Sequence, residues 1–255
     1  MTHGLAETRV GESRRLYGRA PILEAVVDIG ARLPSTVTTE SLRAISWQTV
    51  GNFGEPQSRV RTALQIDGSS GSVTTQRATD GWVLTDESHH CVVQARLDGF
   101  SFSRLAPYDR WENFHDSVRN CWELYRQATQ PLDVVRLALR YVNRLDLPLP
   151  FEDFREYLQT YPEVARGLPQ SLSSFLFQLQ APLEDIENGM LILHEGIVES
   201  TKPDVASILL DIDVFQAVTL ASDSSDIWAA IDRLHAKKNE VFEACITDKT
   251  RELIF

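Results

Sequence analysis

Long apolar runs and closely spaced cysteines are both missing from this sequence of 255 residues. No stretch approaches the ~20 apolar residues that a membrane-spanning helix needs, so we expect no membrane partner. Cys91, Cys121 and Cys245 are odd in number and far apart, which supports neither a disulfide framework nor a zinc knuckle. Residues 1–20 form a polar, arginine-rich tail without the apolar segment of a signal peptide. The sequence therefore predicts a soluble, cytoplasmic protein.

Catalytic motifs of recognisable spacing are missing as well. The sequence has no GxSxG elbow, no GxGxxG loop, no phosphate-binding loop and no kinase signature. His194-Glu195 lacks the rest of a HExxH zinc helix. Asp211-Ile212-Asp213 has the DxD form that can hold Mg²⁺, but alternating polar residues on a strand are the commoner cause of such a pattern. We expect no catalytic residue, no resident metal and no cofactor.

Positive charge is in deficit. There are 25 lysines and arginines against 36 aspartates and glutamates, which gives a formal net charge of −11. A field of that sign repels phosphate backbones at long range, so nucleic acid is a disfavoured partner. An acidic surface suits a basic protein partner, although the same composition is also ordinary for a soluble protein.

The sequence does contain runs in which polar and apolar residues alternate with a period of two, separated by dipeptides that favour tight turns. Asp67-Gly68, Asp80-Gly81, Asp98-Gly99 and Asn188-Gly189 each adjoin β-like runs. These dipeptides favour two-residue hairpin turns, whose central residues need a positive φ. The predicted strands are 22–33, 61–66, 72–77, 82–85, 91–97, 100–105, 134–147, 173–180, 190–194 and 207–218. So many tight hairpins favour an antiparallel sheet over a parallel one.

Apolar residues at spacings of three and four indicate helices between these strands. A helix is predicted over 39–50, and a second begins at Asp109-x-x-Glu112, which resembles a capping box. Its buried stripe is Trp111, Phe114, Val118, Cys121, Trp122 and Tyr125. A short helix over 151–158 and a long helix from Asp226, broken near Thr247, follow in the second half. The long helix has the stripe Ile227, Trp228, Ile231, Leu234, Val241, Phe242 and Cys245.

The order of elements repeats along the chain. Leu33-Pro34 and Leu147-Pro148 end corresponding strands, and Trp111 and Trp228 lie on corresponding helices at nearly the same offset. We infer two similar halves, 21–130 and 131–255, although chance coincidence of these landmarks is the alternative. The predicted fold is α+β: a long curved antiparallel sheet with helices on one face, in two pseudo-repeats that form effectively one domain. This strand order resembles the TATA-binding-protein-like architecture, a likeness of fold that implies no function.

Three arginines share one side of the strand 134–147. Arg136, Arg140 and Arg144 have one parity, and side chains of opposite parity point to opposite faces of a sheet. The apolar parity is Val135, Leu137, Leu139, Tyr141 and Leu145. The arginines should therefore lie on the face away from the helices, together with Asp211 and Asp213. The inward residues of the first strand should be Leu23, Ala25, Val27 and Ile29.

Two interpretations of that face stay open. It is either a solvated surface of cross-strand ion pairs, each contributing roughly 0.2–1 kcal/mol, or a groove whose arginines bind a carboxylate or phosphate. A separate polar candidate is the pair His235 and Asn239, which share one face of the last long helix at i, i+4. This pair is either an interface or acid–base site or a structural hydrogen-bonding pair, which is the interpretation we favour.

Four segments together resemble a sporadically distributed, uncharacterised bacterial protein family of unknown function. They are residues 21–26, 139–145, 210–215 and 234–243. The resemblance extends from Pro21 nearly to the C-terminus and implies no catalytic residue. A patchy distribution is typical of mobile, defence or toxin–antitoxin genes.

These observations favour a non-enzymatic protein-interaction factor with a protein partner, such as an antitoxin, immunity or defence accessory protein. One alternative is a ligand- or nucleotide-binding module that holds a phosphorylated small molecule with Arg136, Arg140 and Arg144. A second alternative is a metal-dependent hydrolase that uses Asp211 and Asp213.

Overall fold

A computed structural model describes residues 17–67, 72–170 and 172–255. In these ranges the strands are β1 (Ile22–Arg32), β2 (Gln57–Asp67), β3 (Ser72–Thr85), β4 (Cys91–Arg96), β5 (Gly99–Leu105), β6 (Asp133–Pro148), β7 (Leu176–Leu183), β8 (Gly189–Val198) and β9 (Val205–Leu220). The α-helices are α1 (Thr39–Arg43), α2 (Trp111–Thr129), α3 (Asp226–Cys245) and α4 (Asp248–Ile254). None of these helices has both the length and the apolar character needed to cross a membrane.

All the described strands belong to one open antiparallel sheet in the order β2-β3-β4-β5-β1-β6-β9-β8-β7. The α+β class and the antiparallel sheet expected from the turn dipeptides are thus confirmed. β1 and β6 pair with each other, and each also pairs with the last strand of its own half, β5 or β9. β2 and β7 form the two edges.

Two of the four turn dipeptides lie at hairpin turns, as predicted. Asp98-Gly99 leads from β4 into β5 with Gly99 at φ 148°, and Asn188-Gly189 leads from β7 into β8 with Asn188 at φ 53°. Asp67 lies opposite Ser72 in the β2–β3 pair, and the connection 68–71 lies outside the described residues. Positive φ, which asparagine and glycine tolerate, explains the dipeptides at the observed turns.

The turn expected at Asp80-Gly81 is wrong, because both residues lie inside β3. A register irregularity between Arg59 and Val60 of β2 lies opposite this point. A Cβ atom on Gly81 would come within 2.3 Å of the carbonyl oxygen of Ala95 on β4. The glycine therefore permits close approach of two strand backbones and makes no turn.

The buried stripe predicted for α2 is confirmed, since all six of its residues are buried. The predicted capping box is wrong: α2 begins at Trp111, and Arg110 at its N-cap makes no side-chain capping bond. The helix expected over 39–50 is shorter, with α1 followed by a 3-10 turn at Trp47–Thr49. The helix expected over 151–158 is only a 3-10 turn at Phe154–Glu156.

The break expected near Thr247 is confirmed. α3 ends at Cys245, and the Thr247 side chain accepts a hydrogen bond from the backbone N–H of Thr250 to start α4. The stripe of α3 is also confirmed in the main: Ile227, Ile231, Leu234, Phe242 and Cys245 are buried, and Trp228 and Val241 are partly buried against the same core.

Two inward positions were predicted one residue out of place. Leu23 is 41% exposed, because a register irregularity next to it leaves Ile22 packed against the core in its stead. Val134 is fully buried and Val135 is not, because a second irregularity falls between Val134 and Arg136. A one-residue shift sends every following side chain to the other face until the register is restored.

Candidate functional site

The helices and the arginines lie on opposite faces of the sheet. On the helix-covered face, the ring of Tyr141 from β6 contacts Phe114 of α2 and His235 of α3. Trp82 of β3 donates its indole N–H to the backbone carbonyl of Thr39 in α1. The other face, which we term the open face, carries the even-numbered residues of β6, including Arg136, Arg140 and Arg144, as strand parity predicted.

Arg140 and Asp211 form the strongest pair on the open face. The Nε of Arg140 donates to Oδ1 of Asp211 at 2.8 Å, and its Nη2 donates to Oδ2 at 2.7 Å. This bidentate bonding raises the pKa of Arg140. Asp211 is only 3% exposed, whereas the side chain of Arg140 is 48% exposed. Nδ1 of His194 lies 3.4 Å from Oδ2 of the same aspartate.

Arg136 belongs to a neighbouring network that is centred on Asp28. The carboxylate of Asp28 accepts from Nη1 of Arg96 at 2.6 Å and from Nη1 of Arg136 at 3.1 Å. The guanidinium of Arg136 also lies 4.5 Å from the ring centroid of Phe215, within the range of a cation–π contact. Nη2 of Arg136 lies 3.9 Å from Oδ2 of Asp213. Arg136 thus connects β1, β6 and β9.

Asp213 is the least well satisfied carboxyl group of this network. Burial raises its pKa, while Arg136 and Arg140 act in the opposite direction. Its Oδ1 atom is buried and has no hydrogen-bond partner among the described residues. Both oxygens of Asp211 are meanwhile bonded to Arg140. The two aspartates of the DxD sequence therefore face arginines, and within the described ranges no three acidic, histidine or cysteine side chains are grouped as metal ligands.

Arg144, near the C-terminal end of β6, bonds to a group of polar side chains. Its Nε donates to Oδ1 of Asp146 at 2.9 Å, and its Nη2 donates to Oγ of Ser207 at 3.0 Å. Ser207 in turn donates to Asp146 at 2.7 Å, and Lys202 lies 3.6 Å from the same carboxylate. All three arginines of the predicted row are therefore bonded to carboxylates of their own chain.

Apolar side chains lie between these ion pairs. Half-buried residues of the open face are Val26, Val92, Val142, Ile192 and Phe215. Pairing registers place Arg140 next to Val26 on one side and next to Asp213 on the other, and Asp213 next to Ile192. Two clefts of about 320 and 280 Å³ are lined by residues of α2 together with residues of the segments 222–228 and 104–110, and both lie outside this row. The open face thus alternates paired charge with apolar surface.

His235 and Asn239, the separate polar candidate, are far from the arginine row. His235 is 5% exposed and stacks on Trp111 with ring centroids 3.9 Å apart and planes at 4°. Nδ2 of Asn239 lies 3.4 Å from Nε2 of His235, and its Oδ1 accepts from Lys238 at 2.7 Å. These residues form part of the contact between α2 and α3 and do not join the open face.

Two neighbouring residues of β8 were missed as site residues. His194 lies beside Asp211, as described above. Glu195 is fully buried on the helix-covered face, and neither of its carboxyl oxygens has a hydrogen-bond partner among the described residues. Burial raises the pKa of Glu195 to about 8. The sequence carried a signal for this inward position, because Glu195 has the same strand parity as Leu191 and Leu193.

Comparisons with protein-family models and with curated proteins found no match to this chain. The open face is therefore the basis on which a function can be proposed.

Proposed function

We propose that this chain is a non-enzymatic protein-interaction factor and that its protein partner docks on the open face. The observation that carries the proposal is the internal pairing of the arginine row with Asp211, Asp28 and Asp146, interleaved with apolar side chains. Protein interfaces combine apolar contact area with polar groups that keep their hydrogen bonds. Alternating charge adds specificity, since a partner of the wrong pattern would bring like charges together.

The two alternatives are weaker on this geometry. A phosphorylated ligand would have to compete with three carboxylates for the guanidinium groups, and the clefts of about 320 and 280 Å³ are not lined by Arg136, Arg140 or Arg144. A catalytic metal ion would have to displace Arg140 from both oxygens of Asp211. A protein partner needs neither exchange, because it can bury the paired charges as they are.

We also propose that the halves arose by duplication and share a TATA-binding-protein-like arrangement. The support is the mirrored order around the central pair, with β5 beside β1 and β9 beside β6. The halves differ in their strand number, and the counterpart of α1 is a 3-10 turn. The family resemblance and the expected cytoplasmic location favour an antitoxin, immunity or defence accessory role.

A charge swap across the open face tests the docking surface. The double variant Arg140→Asp/Asp211→Arg keeps an ion pair but reverses its direction between β6 and β9. The unaltered chain is first purified with its partner from the source cells, and that partner is then titrated against both proteins by calorimetry. We expect the swap to weaken binding by about tenfold or more, because like charges meet across the interface.

The matched control is the swap Glu156→Lys/Lys249→Glu. This ion pair joins the 3-10 turn Phe154–Glu156 to α4, away from the open face. We expect it to leave binding unchanged. A partner that binds the Arg140/Asp211 swap as well as it binds the control would overturn the proposed surface, and purification of the chain without a stoichiometric partner would overturn the proposed function.

A further inference from the structure

The edge strand β7 belongs to the longest uncharged segment of the second half. Residues 167–183 contain no aspartate, glutamate, lysine, arginine or histidine, in a chain of which 24% is charged. Proteins usually protect exposed sheet edges with charged side chains. The opposite edge follows that rule, since β2 carries the exposed Arg61 and the half-buried Arg59. β7 therefore presents an edge without this protection.

The backbone of β7 offers hydrogen-bonding groups to a further strand. The N–H of Ile197 in β8 donates to the carbonyl of Phe175 at 3.1 Å. The odd-numbered residues from Phe175 along β7 therefore direct their backbone N–H and C=O groups to β8. In an antiparallel ladder the alternate residues then direct theirs outwards. These are Leu176, Gln178 and Gln180, and no other described segment donates to them or accepts from them. Pro182, which has no N–H, ends the series.

We infer that β7 pairs with β7 of a second copy of this chain, antiparallel about a two-fold axis through Gln178. In that register Gln178 faces its own copy, and Leu176 faces Gln180. Each pair exchanges N–H···O bonds in both directions, and Pro182 stays outside the ladder. The two sheets become one continuous sheet.

Side chains on the helix-covered face complement each other in the same register. Leu179, which is 44% exposed, lies opposite the half-buried Phe177 of the second copy, and the symmetric contact repeats on the other side of the axis. Aromatic and aliphatic cross-strand pairs of this kind stabilise antiparallel sheets. A two-fold contact must be self-complementary, and this one is.

The self-complementary register favours a second copy as the occupant. Two chains of net charge −11 repel each other, and this repulsion is smallest for a contact that brings no further charges together, which is the case for the uncharged segment 167–183. The contact is separate from the open face and goes beyond the proposed function, because it needs no foreign partner.

The oligomeric state tests this inference. Light scattering after gel filtration at about 50 µM should give the mass of two chains for the unaltered protein. Gln178→Pro should give one chain: the replaced N–H points away from β8, so the strand tolerates proline, but the intermolecular ladder loses its central bonds. Leu179→Lys should also give one chain. Val60→Lys, at a 53% exposed position of edge strand β2, is the matched control and should stay dimeric.

Cysteine cross-linking fixes the register. Gln178→Cys should form a disulfide-linked dimer on mild oxidation, because facing residues of a bonded antiparallel pair lie about 5.5 Å apart between Cα atoms. Gln180→Cys should not, because the two copies of that residue would be about 13 Å apart along the strand. The native cysteines are buried and do not interfere. A single-chain mass for the unaltered protein, or equal cross-linking at both positions, would overturn the inference.

Discussion

Among single residues, Glu195 is expected to dominate the pH dependence of stability. Its carboxyl group is fully buried beside β7 and β9, and its pKa is raised from 4.5 to about 8. The unfolded chain loses this proton near pH 4.5 and the folded chain near pH 8. The free energy of unfolding therefore falls as pH rises between those values, and the slope disappears above pH 8, where both states are ionised.

Glu195→Gln should remove that slope. At pH 7 we expect the variant to be more stable by roughly 3 kcal/mol, since each unit of pKa shift corresponds to about 1.4 kcal/mol. Urea unfolding at several pH values between 5 and 9 measures the effect. The exposed Glu184→Gln is the control and should follow the unaltered chain. Equal slopes for all three proteins would show that Glu195 ionises normally.

Arg140 should stabilise the fold through the buried carboxylate of Asp211. Arg140→Met leaves that carboxylate without its bidentate partner and should cost about 2 kcal/mol. Arg140→Met/Asp211→Leu should recover most of the loss, because no buried charge then remains. Arg126→Met removes a half-exposed surface i, i+3 pair with Glu123 and should cost less than about 1 kcal/mol. Chemical denaturation gives all three values, and a double variant no better than Arg140→Met would contradict this account.

Strand parity alone predicted the face of the sheet on which the arginines lie, but it did not predict their ion-pair partners. Alternation along 134–147 was enough to place Arg136, Arg140 and Arg144 on one face. The partner of Arg136 on β1 is Asp28, which lies 108 positions earlier in the chain. Which carboxylate meets which arginine depends on strand order and register, and a single strand carries neither.

Among the elements, β3 shows how local turn chemistry can be overridden. Asp80-Gly81 has the composition of a hairpin turn, but the long pairing with β2 and β4 keeps both residues in the strand. The irregularity at Arg59 and Val60 bends this ladder, and glycine accommodates the close backbone of β4. Composition alone does not distinguish a glycine that makes a turn from one that permits close approach.

Gly81→Ala should destabilise the protein by about 2 kcal/mol. The new Cβ would meet the backbone carbonyl of Ala95 at 2.3 Å and Cα of Arg96 at 2.9 Å, and backbone atoms cannot move aside without separating β3 from β4. Gly54→Ala is the control, because its Cβ would find only an ordinary contact at 3.5 Å. Thermal unfolding followed by circular dichroism compares the two. A loss no larger for Gly81→Ala than for Gly54→Ala would contradict the proposed packing.

At the scale of the whole molecule, the two halves share one sheet and one core. β1 pairs with β6 from Ile22 to Arg32, and the buried cluster contains residues of both halves. Neither half can lose its structure without exposing the apolar face of the other.

We therefore expect one cooperative unfolding transition. Four of the five tryptophans lie in 21–130, so fluorescence reports mainly on the first half while far-ultraviolet circular dichroism reports on both. In urea the two signals should give the same midpoint. Separate midpoints would mean that the halves are independent domains. Measurements at equal protein concentration are needed, because pairing through β7 would make stability depend on concentration.

The sequence by itself determined the fold class, most strands, the stripes of α2 and α3 and the side of β6 on which the arginines lie. Each of these follows from a period of two or from spacings of three and four, which neighbouring residues carry. Only the tertiary structure decided the ion pairs of the open face, the role of Gly81, the burial of Glu195 without a partner and the exposure of the β7 edge. Those features arise where residues distant in the chain come together, and the pairing order that joins them is a property of the whole sheet.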